Sequence, residues 1–170
     1  MKRRNSVLKS LMFLAIAVVV SSCSSAKDST KFASTAAAGG MTEVELGRLA
    51  VQKGADPAVK EFGQRMIADH TRANAELKTV ASQKNIQLPA DLTSEQKKTR
   101  DKLASLSGAE FDKQYMKDMV KDHEEDVEEF KTQAEKGTDP EVKSFAAKTL
   151  PTLQSHLQMA QEVAKKVGAK

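Results

Sequence analysis

The stretch Gly54–Phe62 reads GADPAVKEF, and a similar stretch, GTDPEVKSF, occupies Gly137–Phe145. In each, a glycine suited to ending one helix is followed by Asp-Pro. The aspartate can accept hydrogen bonds from the first turn of the next helix, and proline there needs no backbone donor. We interpret Gly54 and Gly137 as helix C-caps and the aspartates as N-caps. Each stretch is therefore predicted to join two long antiparallel helices.

The rest of the chain supports helices throughout. Apolar residues recur at steps of three and four, and strand-forming residues do not cluster, which predicts an all-α protein. Pro89 ends one helical stretch, and capping boxes at Thr93 and Ser107 begin two more. The predicted helices span about residues 30–53, 57–84, 94–105, 109–136 and 140–167. Two hairpins joined by a long connection carrying a short helix predict one four-helix bundle, of the ferritin-like type, over residues 30–168.

The N-terminus resembles a bacterial lipoprotein signal peptide. Residues 2–4 are basic and precede an apolar run, residues 11–20, that is too short to span a bilayer. The run ends in Val-Ser-Ser-Cys, which resembles a lipobox and implies cleavage of residues 1–22 and lipidation of Cys23. Residues 23–29 then form a tether, and Ser24, where a retention signal would have Asp, favours the outer membrane. The alternative is an ordinary signal peptide followed by an unmodified thiol.

Charge and cysteine content exclude several classes of protein. The chain has 27 basic and 23 acidic residues, but four of the basic residues lie in the first 22, so the remainder is formally neutral. Nucleic-acid binding needs a surplus of Lys and Arg, so it is not expected. The single cysteine excludes a disulfide scaffold and, once lipidated, cannot be a nucleophile. No Ser/His/Asp or Cys/His arrangement is present either, so catalysis by a nucleophilic side chain is not expected.

Three histidines are the main candidates for chemistry. His70, His123 and His156 each lie on the apolar face of a different long helix. Each is about 20–24 Å from its hairpin loop at 1.5 Å per residue, so all three are expected to meet near the middle of the bundle. The first helix passes that level near Gly39 and Gly40, which are predicted to make room for the imidazoles.

Two interpretations of these histidines stay open. Buried histidines are commonly satisfied by hydrogen bonds, and this structural interpretation is favoured because tailored sites are rare. The alternative is a transition-metal site completed by Asp126 and by Glu43 or Glu45. A conventional di-iron site is excluded, since it needs Glu three residues before His. Ile67, Val120 and Leu153 occupy those positions.

Residues near the histidines include methionines, which suggest a copper(I) form of the metal site, and aspartates, which are given a structural role. A methionine lies within about one helical turn of every histidine, and thioether with imidazole would suit copper(I). These methionines are Met66, Met116, Met119 and Met159, and filling of gaps in the core is the alternative for all of them. Asp69 and Asp122 directly precede histidines and are predicted to be structural, orienting neighbouring side chains.

Several segments, in order, resemble the bacterial DUF4142 family. They are residues 39–47, Met66 to His70, Tyr115 to His123 and Ala147 to His156. The resemblance implies a ferritin-like bundle in an exported envelope protein, without an established activity. We therefore predict a lipoprotein anchored to the membrane through Cys23, facing the periplasm, with a non-enzymatic structural or stress-associated role. A metal-handling bundle is the alternative, and a metal-dependent oxidoreductase is the third hypothesis.

Overall fold

The computed structural model describes the backbone of residues 19–169 and the side chains of residues 27–169. Five helices, and no strands, make up this part of the chain. They are α1 (Val19–Lys53), α2 (Pro57–Gln83), α3 (Ser94–Ala104), α4 (Gly108–Lys136) and α5 (Pro140–Val167). The prediction of an all-α fold with a short extra helix is thus confirmed.

The helices form two hairpins that pack into one bundle. α1 packs along α2, and α4 packs along α5. The hairpins meet through contacts of α2 with α5 and of α1 with α4, while α3 lies in the connection and contacts α1 and α4. None of the helices, over the residues described, is both long enough and apolar enough to cross a membrane.

Local capping explains where most helices begin. Asp56 accepts a hydrogen bond from the backbone of Ala58 at 2.8 Å, and Asp139 caps α5 in the same way. Thr93 forms the predicted reciprocal capping box at the start of α3. The capping box predicted at Ser107 is wrong, because that side chain makes no capping hydrogen bond. The backbone turns there through the positive φ of Gly108, 61°, which a residue with a side chain rarely adopts.

The two loop glycines directly follow helices, as predicted. Gly137 is the C-cap of α4, and its φ of −57° is not left-handed. A Cβ at Gly54 would lie 2.7 Å from the carbonyl oxygen of Ala50, and one at Gly137 would overlap the carbonyl of Gln133. Glycine is required here because the chain passes close to the preceding turn. The left-handed C-cap occurs instead at Gly168.

The N-terminal end of α1 also differs from the prediction. The helix begins at Val19 and not near residue 30, so residues 23–29 are helical rather than a flexible tether. No glycine or proline occurs between residues 19 and 38, so nothing interrupts propagation of the helix from its packed part. Residues 1–18 of the predicted signal peptide, and the side chain of Cys23, lie outside the part that the structure describes.

The core consists of two apolar clusters with a polar layer between them. The lower cluster, near the α1–α2 and α3–α4 connections, includes Leu46, Met66, Met119 and Ala160. The upper cluster, near the α4–α5 loop, includes Ala37, Leu77, Phe130 and Leu153. Each long helix places buried polar side chains between its members of the two clusters, and one from each helix reaches the middle of the bundle. These residues are Glu43, His70, His123 and His156.

Candidate metal centre

The polar layer brings one side chain from each long helix to the middle of the bundle. Glu43, His123 and His156 are 0% exposed, and His70 is 6% exposed. The three imidazole centroids lie 5.3 to 5.9 Å apart. One ring nitrogen from each imidazole lies within 4.8 Å of the other two. The predicted meeting of the three histidines is therefore present in the structure.

In His123 and in His156, a hydrogen bond to one ring nitrogen determines which nitrogen is left free for the centre. The Nδ1 of His123 lies 2.9 Å from the carbonyl oxygen of Met119, which can only accept, so Nδ1 carries the hydrogen. The Nε2 of His156 donates to Asp69 Oδ2 at 2.9 Å. Nε2 of His123 and Nδ1 of His156 therefore keep their lone pairs. A histidine held by a carboxylate or carbonyl through its other nitrogen is the usual arrangement of a metal ligand.

Glu43 lies between the imidazoles of His70 and His123. Its Oε2 is 2.8 Å from His70 Nδ1, and its Oε1 is 3.2 Å from His123 Nε2. Neither contact has the geometry of a hydrogen bond. Both buried oxygens of Glu43 therefore lack a hydrogen-bond partner among the described residues. Glu43 was predicted as a ligand, and the structure places it in contact with two of the three histidines.

Three ring nitrogens remain without a hydrogen-bond partner among the described residues. They are His70 Nε2, His123 Nε2 and His156 Nδ1. A proton on Glu43 could satisfy only His123, and it would leave the other two nitrogens unpaired in a buried site. Unpaired buried polar atoms cost about 1–3 kcal/mol each. A cation accepting all three lone pairs would remove this cost.

Burial sets the charge of these groups. Desolvation lowers the pKa of His70 and of His156 to about 4, and it also lowers the pKa of His123. All three imidazoles are therefore neutral at pH 7, the form in which imidazole binds metals. Burial likewise raises the pKa of Glu43 to about 8, although the nearby His123 opposes the shift.

Asp126, the other predicted carboxylate, lies in an adjoining group. Carboxylate oxygens of Glu43, Asp122 and Asp126 lie within 4.8 Å of one another, separately from the three-histidine group. Burial and then the charge of Glu43 raise the pKa of Asp126 well above its ordinary value, and burial also raises the pKa of Asp122. Glu43 thus belongs to both groups, whereas Asp126 does not join the histidines directly.

A small internal cavity borders both groups. Its volume is about 20 Å³, and its polar lining includes Glu43, His70, Asp126 and Asn74. Gly40 also lines it, and a Cβ at Gly40 would overlap the side chain of Asn74. The prediction that the glycine pair makes room for imidazoles is wrong in this detail, because Gly40 accommodates an amide and Gly39 faces open space.

Other candidates from the sequence take different places. Glu45 pairs with Arg48 at 2.7 Å on the surface, so it is not a ligand. Met66, Met116 and Met119 are buried members of the lower apolar cluster, and their packing accounts for them without ligation. Among groups that the sequence did not single out, the hydroxyl of Tyr115 is buried without a hydrogen-bond partner.

The comparisons with known proteins agree with this architecture. A DUF305 protein from Streptomyces coelicolor, described as a candidate secreted protein, has a TM-score of 0.71 at 16% identity, covering 84% of this chain and 94% of its own. A DUF305 fragment from Deinococcus radiodurans has a TM-score of 0.71 at 11% identity, covering 82% and 96%. At these identities the likeness shows the fold alone. No curated protein sequence matches. The family model for DUF4142, a domain of unknown function, matches residues 19–163, and the chain therefore belongs to the DUF4142 family.

Proposed function

We propose that this protein is an exported, lipid-anchored bundle that binds a divalent transition-metal ion through His70, His123, His156 and Glu43. The observation that carries the proposal has two parts. One ring nitrogen from each of the three buried imidazoles lies within 4.8 Å of the other two, and each ring has one nitrogen without a hydrogen-bond partner among the described residues. Imidazole and carboxylate together suit zinc, copper(II) or iron(II).

The competing interpretation is a structural polar layer. It was favoured from the sequence because buried histidines are commonly satisfied by hydrogen bonds. Here only two of the six ring nitrogens have hydrogen bonds, to Met119 and Asp69, and two more, His70 Nδ1 and His123 Nε2, are close to Glu43. In a purely structural layer the remaining lone pairs would be buried without partners, which would lower the stability of the folded protein. A role in envelope stress stays a prediction.

Metal binding fits the site better than catalysis. The four ligands are almost completely buried, and the adjoining cavity of about 20 Å³ has room for one water molecule or ion. An organic substrate needs a pocket of about 300 Å³ or more. The oxidoreductase hypothesis is therefore the weakest of the three.

Export and anchoring rest on the leader. The basic start, the short apolar run and the cysteine at its end support processing at Cys23 and a lipid anchor facing the periplasm. Such an anchor would keep the metal-binding bundle at the membrane surface.

The test is metal binding by the full-length protein in detergent. After removal of metal by a chelator, the wild type is titrated with zinc, copper(II), iron(II) and copper(I), with metal content and melting temperature measured. We expect one ion to be retained at the histidines for at least one divalent metal, with stabilisation of about 2.7 kcal/mol at 100 times Kd.

Two variants distinguish metal binding at the histidines from metal binding at the protein surface. His156→Gln removes one ligand, whereas Glu125→Gln changes an exposed carboxylate on α4 and serves as the control. Circular dichroism establishes that each variant is folded. Binding lost in His156→Gln and kept in Glu125→Gln supports the proposal. Absence of binding by the wild type, for all four ions, would leave the structural layer as the correct interpretation.

A further inference from the structure

We propose that Glu43, Asp122 and Asp126 form a second cation position beside the three histidines, so that the bundle holds two metal ions bridged by the Glu43 carboxylate. This inference rests on the proposed function, because Glu43 is shared by both positions.

The geometry sets this group apart from an ordinary acidic surface. Glu43 projects from α1 toward Asp122 and Asp126, which are one turn apart on α4, and the carboxylate oxygens lie within 4.8 Å of one another. Glu43 is 0% exposed, and neither of its oxygens has a hydrogen-bond partner among the described residues. The buried carboxylate of Glu43 thus lies beside the two aspartates as well as beside His70 and His123.

The internal cavity supplies an independent observation. It borders Glu43 and Asp126 and also His70, and its volume of about 20 Å³ exceeds the roughly 10–15 Å³ that one water molecule requires. Its lining is mixed, and Glu43, His70 and Asp126 supply polar atoms that an ion or a water molecule could contact. Space for a cation therefore exists beside two of the three carboxylates.

The charges favour occupation of that space. Among the described residues, no lysine or arginine forms an ion pair with Glu43, Asp122 or Asp126. Three partly or fully buried carboxylates without a cation repel one another, and each must take up a proton or a positive ion. A divalent cation would neutralise the group and leave Glu43 ionised as a bridge.

The ligand types predict different metals in the two positions. The histidine position offers three nitrogens and suits zinc, copper or iron, whereas the second offers only carboxylate oxygens and suits a harder ion such as manganese(II), magnesium or calcium. Carboxylate-bridged pairs of metals are about 3.5–4 Å apart. Glu43 Oε1 is 3.2 Å from His123 Nε2, and a Glu43 oxygen lies within 4.8 Å of carboxylate oxygens of Asp122 and Asp126, so this carboxylate lies between the two positions.

The experiment uses full-length protein loaded with one equivalent of zinc and then titrated with manganese(II). Free manganese(II) is followed by its six-line electron paramagnetic resonance spectrum, and zinc content is measured in the same samples. We expect the wild type to retain zinc and bind one manganese ion. Asp126→Asn should retain zinc and bind manganese at least tenfold more weakly, and Asp122→Asn provides a second variant should the first fail to fold. Glu135→Gln, at an exposed carboxylate farther along α4, is the surface control.

The outcomes distinguish the two proposals. Zinc binding without manganese binding in the wild type would overturn the second position while leaving the histidine site intact. Equal manganese binding by Asp126→Asn, Asp122→Asn and the control would show an ion held at the surface, which also overturns it. Absence of both metals would contradict the proposed function itself.

Discussion

Asp69 shows how a single residue outside the ligand set organises the centre. Its Oδ2 accepts the hydrogen bond from His156 Nε2 and is also contacted by Arg65, while Arg72 donates to Oδ1 at 2.8 Å. Burial would raise the pKa of Asp69, but the hydrogen bonds from His156 and Arg65 outweigh it and hold the pKa below its ordinary value. Asp69 is therefore ionised at neutral pH and fixes the ring of His156.

Removing that carboxylate should weaken metal binding. We expect Asp69→Ala to lower zinc affinity by about 10–100-fold, because His156 loses the partner that orients it. Asp69→Asn keeps an acceptor oxygen and should restore part of the affinity. Competition with a chromogenic chelator measures the change, and Asp101→Ala, at an exposed aspartate on α3, is the control. Unchanged affinity in Asp69→Ala would show that His156 needs no orienting partner.

At the scale of the helices, close contact between α1 and α2 holds Glu43 near His70. A Cβ at Gly63 would lie 2.7 Å from the Cβ of Ala50 and 2.8 Å from the carbonyl oxygen of Gly47. The two backbones therefore approach each other at a place where only glycine fits. The same hairpin carries Gly39, where an added Cβ would meet no atom within 4 Å.

These two glycines give a matched pair of substitutions. Gly63→Ala should destabilise the protein by about 1–3 kcal/mol, because the overlap outweighs the gain in helix propensity. Gly39→Ala should instead stabilise it by up to about 1 kcal/mol, since the gain is unopposed. Urea unfolding measures both free energies. Equal effects at the two positions would contradict the close helix approach.

At the scale of the whole molecule, a polar layer divides the apolar core and makes stability depend on pH. His70 and His156 have pKa values of about 4 in the folded protein against an ordinary 6.5. The unfolded chain therefore binds more protons below pH 6.5, and stability present above that pH is lost as the pH falls toward 4. Glu43, Asp122 and Asp126 act in the opposite sense, because burial raises their pKa values, so the contribution of a histidine is measured against a variant that lacks it.

We expect the metal-free wild type to lose stability relative to His156→Gln as the pH falls from 6.5 to 4.5, because the wild type has one more buried imidazole to keep neutral. Urea titrations of both proteins at several pH values in this window, in the presence of a chelator, measure the difference between their midpoints. A difference that stays constant, or that moves in favour of the wild type as the pH falls, would contradict the burial of His156 as a neutral imidazole.

Anchoring is also a property of the whole chain. In bacteria fed an alkyne-labelled fatty acid, we expect the wild type to be labelled and to sediment with the outer membrane. Cys23→Ser should abolish labelling, because the acylated sulfur is lost. Ser25→Ala is the control. Labelling that persists in Cys23→Ser would rule out lipidation at this position.

The sequence determined most of the fold because its signals are local. Asp56-Pro57 and Asp139-Pro140 place the starts of two helices through contacts within one turn, and the spacing of apolar residues defines each buried face. The same spacing put the three histidines at one level of the bundle. The cap at Ser107 and the beginning of α1 were missed, because the backbone of Gly108 and uninterrupted helix propagation override the local pattern.

Only the tertiary structure decided how the polar groups are paired. Which oxygen of Glu43 faces which imidazole, the contact of Asp69 with His156, and the shared position of Glu43 between two groups all join residues far apart in the chain. Such pairings depend on the rotation and crossing of packed helices, which differ by a few ångströms without changing the hydrophobic pattern. The sequence therefore determined which residues reach the centre, and packing determined what they can bind.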